Sequence, residues 1–307
     1  MAKKILVTCV CLCFVGLAFF DVAGFVDAGR RGLSLFSMNV LPVLFPFFFV
    51  TSLMVESGVF SQGRQLNKSP GRIGITVWFL SILSGFPTSA RMLGELYKNG
   101  RITRASAMRI STFTSTPSPI FVVATVGTIL YGSTALGVVI FMSIIFGALA
   151  NGLIYTRVRF NNCSVQAVQP LSHPKPLPEV IAIALQNSIQ SILAVGGLIV
   201  IFFILGNQLD SLLDLPHSFD VILSSLLEMT NGVFTAAQGG VGFDPGITFV
   251  SLLVPVAILA FGGLCVGMQG LIFAKNFGMP FWFYLLYKST HTVLSIGVAL
   301  VLLFLLR

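Results

Sequence analysis

Charge is what this sequence has least of. Asp, Glu, Lys and Arg make up only 9% of its 307 residues, while 55% are hydrophobic, and the mean hydropathy is +0.95. A soluble domain carries about 25% charged residues, because its surface must stay in water. The shortage excludes a cytosolic enzyme, a secreted domain and a disordered regulator. Cysteine is also scarce: Cys9, Cys11 and Cys13 share one apolar run, and Cys163 and Cys265 stand alone. With 3 His and no ligand-spaced Cys/His cluster, neither a zinc site nor a disulfide framework is supported. The thiols read as small membrane hydrophobes. No Walker A, GxSxG, HExxH or paired catalytic carboxylate motif occurs, so an ATP motor or hydrolase has no support, and neither an enzyme nor a cofactor is expected.

What is present is long apolar runs. Stretches of about 20 apolar residues select membrane helices over alternating barrel strands. The chain therefore reads as an all-α polytopic membrane protein, in which lipid-facing backbone must be helical. Lys3 and Lys4 precede an apolar run over 5–26 that resembles a signal peptide but is too long and lacks a small-x-small cleavage site. Residues 1–31 are expected to hold a retained, signal-anchor-like span. A second long segment covers 32–60, and two interrupted segments and a full span over 135–155 follow it. Residues 161–178, with Pro170, Pro174, Pro176 and Pro178, read as a cytoplasmic linker. Residues 32–160 form one half and 179–307 the other.

The two halves share an order: span, broken segment, broken segment, span. Gly85 precedes Ser115 by the same 30 residues that separate Gly232 from Gly262, and an offset of 147 places Thr88 on Thr235. Paired interruptions of this kind point to a transporter-type core. If the first broken segment of each half is a re-entrant hairpin and the N-terminus is cytoplasmic, the halves are two inverted-topology repeats. All Lys and Arg residues except Arg30, Arg31, Arg307 and Lys288 then fall in cytoplasmic loops, while Asp27, Asp210, Asp214, Asp220 and Asp244 fall outside. The net charge of +8 is thus a positive-inside signature. No basic stretch is interleaved with stacking aromatics, so nucleic acid is not expected as a partner.

A helix broken at the midplane leaves free backbone groups that are tolerable only in protein or beside a watered cavity. At the first break, Ser84, Gly85, Thr88 and Ser89 combine a permissive turn with hydroxyls, and Ser115, Thr116 and Ser118 repeat this chemistry among prolines. Half-helix N-termini favour a polar or anionic group; the plainer alternative is a pair of packing kinks. Thr230, Asn231 and Thr235 mark the third break, with Gln238 following it, and Gly262 and Gly263 mark the fourth, with Gln269 following it. The glutamines either bond a polar substrate or glue helices together. Glu228, beside the third break, is the candidate for proton or Na⁺ coupling unless it sits at the outer boundary. Arg91 and Lys288 read as snorkelling to the cytoplasmic side, His291 as a hydrogen-bonded packing histidine, and Asn39, Asn187 and Gln190 as interhelical amides.

The residues Leu41-Pro42 with Pro46-Phe47-Phe48, Ser84-Gly85-Phe86-Pro87, Gly100-Arg101-Ile102-Thr103 and Phe113-Thr114-Ser115-Thr116-Pro117 are together distinctive. With Phe261-Gly262-Gly263-Leu264-Cys265-Val266, they resemble membrane proteins with nucleoside-recognition (Gate) domains, in particular the sporulation integral membrane protein branch. Cys265 stands where that family's pattern has serine. The resemblance covers about residues 32–306 and implies kinship with concentrative nucleoside transporters, without transferring a substrate.

Two functions follow as expectations. The first is a secondary transporter in a bacterial cell membrane, moving a small polar or anionic solute, nucleoside-like or spore-related, by alternating access at a midplane site. The second is a non-transporting scaffold for spore or envelope assembly that keeps a transporter-like fold. The partners expected are the lipid bilayer, the solute and, as an open alternative, a second copy in a homo-oligomer. Polar groups from the four breaks facing one cavity would separate the first reading from the second.

Overall fold

Glycine, proline and capping side chains decide where these apolar stretches stop. In the computed structural model, which describes residues 2–58, 70–158, 176–213, 216–238 and 248–306, the regular elements are all helical, with no strand among the described residues. Helices α1 (Ala2–Phe20) and α2 (Val22–Leu35) are divided at Asp21, whose carboxylate accepts the Gly24 amide at 2.9 Å as an N-cap. The sequence pattern places this division between 26 and 32, because an isolated Asp within an apolar run gives no periodicity signal. From Val22 the chain stays helical to Glu56, through a π-helical turn, Phe36–Val40, and into α3 (Leu41–Glu56). Pro42 and Pro46 remove amide donors there, and the wide turn is a local accommodation of such gaps.

Helices α4 (Pro70–Ser84) and α5 (Thr88–Lys98) meet at Gly85, which has a positive φ of 79°. Thr103 caps α6 (Arg104–Thr114), accepting the Ser106 amide at 3.1 Å. After the extended stretch 115–118 the chain resumes as a π-helical segment, Ile120–Leu130, and Ser133 caps α7 (Thr134–Thr156). The second half comprises α8 (Leu177–Leu213), α9 (His217–Leu227), α10 (Met229–Ala236), α11 (Phe249–Phe261), α12 (Gly263–Ala274) and α13 (Phe281–Leu305). At 37 residues α8 is about 55 Å long, beyond the ~30 Å hydrocarbon thickness, so it tilts or projects from the bilayer.

Among the described residues, five helical stretches are long and apolar enough to span a membrane: Val22–Glu56, Thr134–Thr156, Leu177–Leu213, Phe249–Phe277 and Phe281–Leu305. Three shorter apolar helices, Ile73–Ser84, Ile120–Leu130 and His217–Leu227, lead into or out of breaks. This is an all-α polytopic membrane protein. Its outward surface carries Phe79, Leu153, Leu193, Val293 and Phe304, as a lipid-facing surface requires. The polar loop that follows α3 and most of the 161–178 linker lie outside the described residues.

Close helix approach depends on small residues, as expected where lipid is as apolar as leucine. Helices α2 and α3 pack along α8, with Gly32 against Val200 and Phe36 against Gly196, so the two run antiparallel. Helix α7 packs along α13 with Gly147 against Ser295, and Asn151 is the polar joint of that contact. Its amide donates to Thr112 O at 2.8 Å and Tyr287 O at 3.1 Å, and its oxygen accepts the Thr290 hydroxyl at 2.8 Å. His291 is buried, with Nε2 3.1 Å from Ile144 O, as the packing reading expects.

Candidate functional site

The interruptions come together in the interior. A methyl at Gly85 would lie 2.8 Å from the Ser118 amide nitrogen, so the two breaks of the first half touch and only glycine fits. In the second half, Gly262 and Gly263 have φ of 85° and 71°. A methyl on Gly263 would lie 3.0 Å from Ser225 O and 3.3 Å from Met229 N, so these two breaks touch as well. A methyl on Gly262 would stand 3.6 Å from the tip of the Phe86 ring, which joins one half to the other.

A cavity of about 270 Å³ opens beside this meeting point. Ser84, Gly85, Ser118, Glu228, Thr230 and Gln269 line it, with Asn39 at an exposed rim and Phe86, Phe121 and Phe234 forming apolar wall. Three of the four breaks therefore contribute to one cavity. Ser84 donates to Leu80 O at 2.8 Å, and Ser118 Oγ accepts the Phe121 amide at 3.3 Å, capping the segment that follows. Glu228 is buried rather than placed at an outer boundary. Its Oε2 accepts the Asn231 amide at 2.8 Å, so a carboxylate caps the N-terminus of α10, where the helix dipole favours it. Gln269 donates to Cys265 Sγ at 3.3 Å, linking the cavity wall to a buried thiol.

The other candidates lie elsewhere. Thr88 and Thr116 are buried with hydroxyl oxygens that have no hydrogen-bond partner among the described residues. Ser89 and Ser115 line a crevice of about 10 Å³ behind Phe86. Asn231, Thr235 and Gln238 face a second cavity of about 380 Å³, whose walls include Arg31, Asn207, Asp210, His217 and Asp220. Thr88 and Thr235, aligned by the offset of 147, do not share a cavity. Gly262 and Gly263 act as close-packing positions and line neither cavity.

Arg91 and Lys288 correct the sequence reading, because neither snorkels. Arg91 is 1% exposed and binds inward: Nε donates to Ser191 Oγ at 2.8 Å, Nη1 to Phe48 O at 2.7 Å and Thr51 Oγ1 at 3.2 Å. Its Nη2 pairs with Glu95 Oε1 at 2.7 Å, and the guanidinium stacks 4.6 Å from the Phe48 ring centre. Lys288 is fully buried, with Nζ donating to Ser115 O at 3.2 Å and lying 4.7 Å from the Phe86 ring centre. The available sequence signals were the Arg91–Glu95 spacing of four and the place of Arg91 just after a break. The second cavity was missed because its acids read as outer-loop residues. Among the described residues, no group of three or more His, Cys, Asp or Glu is placed to hold a metal ion.

Comparison with known proteins adds one relationship. The chain is 25% identical over 286 residues to Sporulation integral membrane protein YlbJ of Bacillus subtilis (strain 168), covering 79% of this chain and 69% of the relative. This supports the sporulation integral membrane protein branch named from the motifs. No family model and no solved structure matches the chain.

Proposed function

We propose that this membrane protein, related to a sporulation integral membrane protein, is a secondary-transporter-type carrier that moves a small polar solute by alternating access where its broken helices meet. The observation that carries this reading is the convergence of three breaks, drawn from both halves, on one 270 Å³ cavity. Unrelated packing kinks would have no reason to share a cavity, whereas irregular backbone at membrane depth is tolerated where it lines one. Two inverted repeats fit the packing. The opening spans of the two halves run antiparallel against each other, and His291 touches Ile144, 147 residues earlier. That separation equals the offset aligning the halves. A residue beside a two-fold axis would meet its own equivalent, and antiparallel counterparts are what an axis in the membrane plane requires.

Within the polar or anionic class, the uncharged solute is favoured. Glu228 puts a carboxyl group in the wall and already occupies the N-terminus of α10, leaving that dipole end unavailable to an anion. A nucleoside-like solute meets this requirement. Glu228 is the candidate for Na⁺ or H⁺ coupling. The positive-inside pattern supports a bacterial cell membrane protein with a cytoplasmic N-terminus. The reading is of a carrier rather than an enzyme, without a cofactor. The scaffold alternative is favoured by the sporulation role in the relative's name.

A thermal-shift screen of the purified protein against nucleosides, carboxylates, lipid phosphates and Na⁺ separates the two. A carrier gives a solute whose stabilisation is lost in Glu228→Gln and Thr230→Ala but kept in Thr235→Ala, which lies in the other cavity. Equal stabilisation of all variants rejects the site, and the absence of any stabilising solute favours the scaffold.

A further inference from the structure

Phe86 stands between two spaces. With Val266 it lines the 270 Å³ cavity on one side and, on the other, the 10 Å³ crevice that also contains Ser89, Ser111, Ser115 and Tyr284. The crevice has room for about one water. Val266, Gly270 and Ala274 of α12 and Met279 beyond it line the crevice, whereas Asn39 and Ile120 line the cavity alone. Phe86 and Val266 therefore form the wall that separates the two spaces.

Two contacts hold that ring in place. Lys288 Nζ lies 4.7 Å from the ring centre, and the ring tip rests beside Gly262, where an added methyl would stand 3.6 Å from it. A cation on an aromatic face is worth most where water is excluded, and Lys288 is fully buried. Next to crevice residues in the chain, or lining the crevice, the hydroxyls of Thr88, Thr116 and Tyr284 are buried without a hydrogen-bond partner among the described residues. Buried polar atoms without partners are costly and uncommon, and each needs a reason. A passage that takes up water or a polar solute when the ring moves supplies that reason.

We infer that Phe86 is the gate between the cavity and the hydroxyl-lined crevice, clamped shut by Lys288 and opened when the ring leaves its place beside Gly262. This rests on the carrier reading for what passes the gate, an uncharged solute rich in hydroxyl or amide groups. The gate itself can be read without any solute. Ser89→Cys, made in a chain with Cys9, Cys11, Cys13, Cys163 and Cys265 replaced by alanine, is treated with a membrane-impermeant thiosulfonate from each face of oriented vesicles.

With Phe86 present, Ser89→Cys is protected from the face onto which the cavity opens. With Phe86→Ala it reacts from that face about tenfold faster or more, the scale of losing a desolvated cation–π clamp together with the steric plug. Lys288→Met gives a smaller gain in the same direction, and Phe86→Leu, which keeps most of the volume, falls between. Either variant keeps the question answerable if Phe86→Ala does not fold. Unchanged labelling in all three overturns the gate. Solute counterflow in the same vesicles reads the carrier reading separately: labelling that responds without counterflow retains the gate and rejects transport, and counterflow without a labelling response rejects the gate.

Discussion

Replacing Arg91 tests the most heavily bonded charge in the interior. Arg91→Met keeps much of the side-chain volume but removes the ion pair to Glu95 and the bonds to Phe48, Thr51 and Ser191. The bond partners on α3 and α8 do not become orphans. Ser191 Oγ bonds Asn187 O at 2.7 Å, and Thr51 Oγ1 bonds Phe47 O at 2.8 Å. Glu95 is the group left stranded: its side chain is 14% exposed, Oε2 already has no hydrogen-bond partner among the described residues, and the bond from Ser52 is long at 3.5 Å. Breaking a buried pair on one side costs about 3–5 kcal/mol, because the remaining charge has no compensation. Replacing both partners with apolar residues of similar volume is often close to neutral. The expected order is therefore Arg91→Met far less stable than wild type, and Arg91→Met with Glu95→Leu recovering by about 2–4 kcal/mol. Reversible denaturation in mixed micelles, followed by tryptophan fluorescence, measures this order. A double variant no more stable than Arg91→Met would refute the argument, since the cost would then lie in lost packing and bonds to α3 and α8.

Three further outcomes follow from single positions. Gly147→Ala drives a methyl into Ser295 at the α7–α13 contact, whereas Gly197→Ala meets nothing within 4 Å. The first should lose about 1–3 kcal/mol by overpacking and the second almost nothing, as read by the same denaturation assay. Gly85→Ala adds a left-handed backbone penalty of about 1–2 kcal/mol to a clash with Ser118, so cavity-dependent solute binding should fall along with stability. Asn151→Leu removes bonds joining α6, α7 and α13; at about 0.6 kcal/mol for each interhelical bond, the loss should be near 2 kcal/mol, and a neutral result would mean the joint is held by packing alone.

Hydropathy and interruption were legible from the chain because both are local. Twenty apolar residues, a Gly-Phe-Pro or a Thr-Pro-Ser-Pro carry their meaning without knowledge of the partner. The positions of the breaks after Ser84 and Thr114 followed from this chemistry. The start of the second span did not, because Asp21 acts through one capping bond to Gly24. The division of the site residues between two cavities was also out of reach. Asn231 and Thr230 are neighbours in sequence, yet they face different cavities across the wall formed by α9 and α10. Neighbouring residues on a short helix point about 100° apart, so one break can serve both sides of a wall. Arg91 was misread for a related reason: snorkelling depends on reach to water, and only the tertiary position of α5 shows that serines of α8 are nearer.

Two of the interior charges share a logic that links the breaks to the fold. Interrupting a helix inside a membrane creates dipole ends where no water can screen them. A C-terminal end favours a cation and an N-terminal end an anion, by up to about 2 kcal/mol in a partly buried setting. Lys288 meets the first kind of end at Ser115, the residue closing α6. Glu228 meets the second kind at Asn231, in the first turn of α10. The signs match the dipoles in both places. One charge comes from a remote helix and the other from the break itself, so the first half depends on α13 to stabilise its broken helix. Because Lys288 also clamps Phe86, any movement that opens the gate must either carry α13 with the ring or part the cation from it.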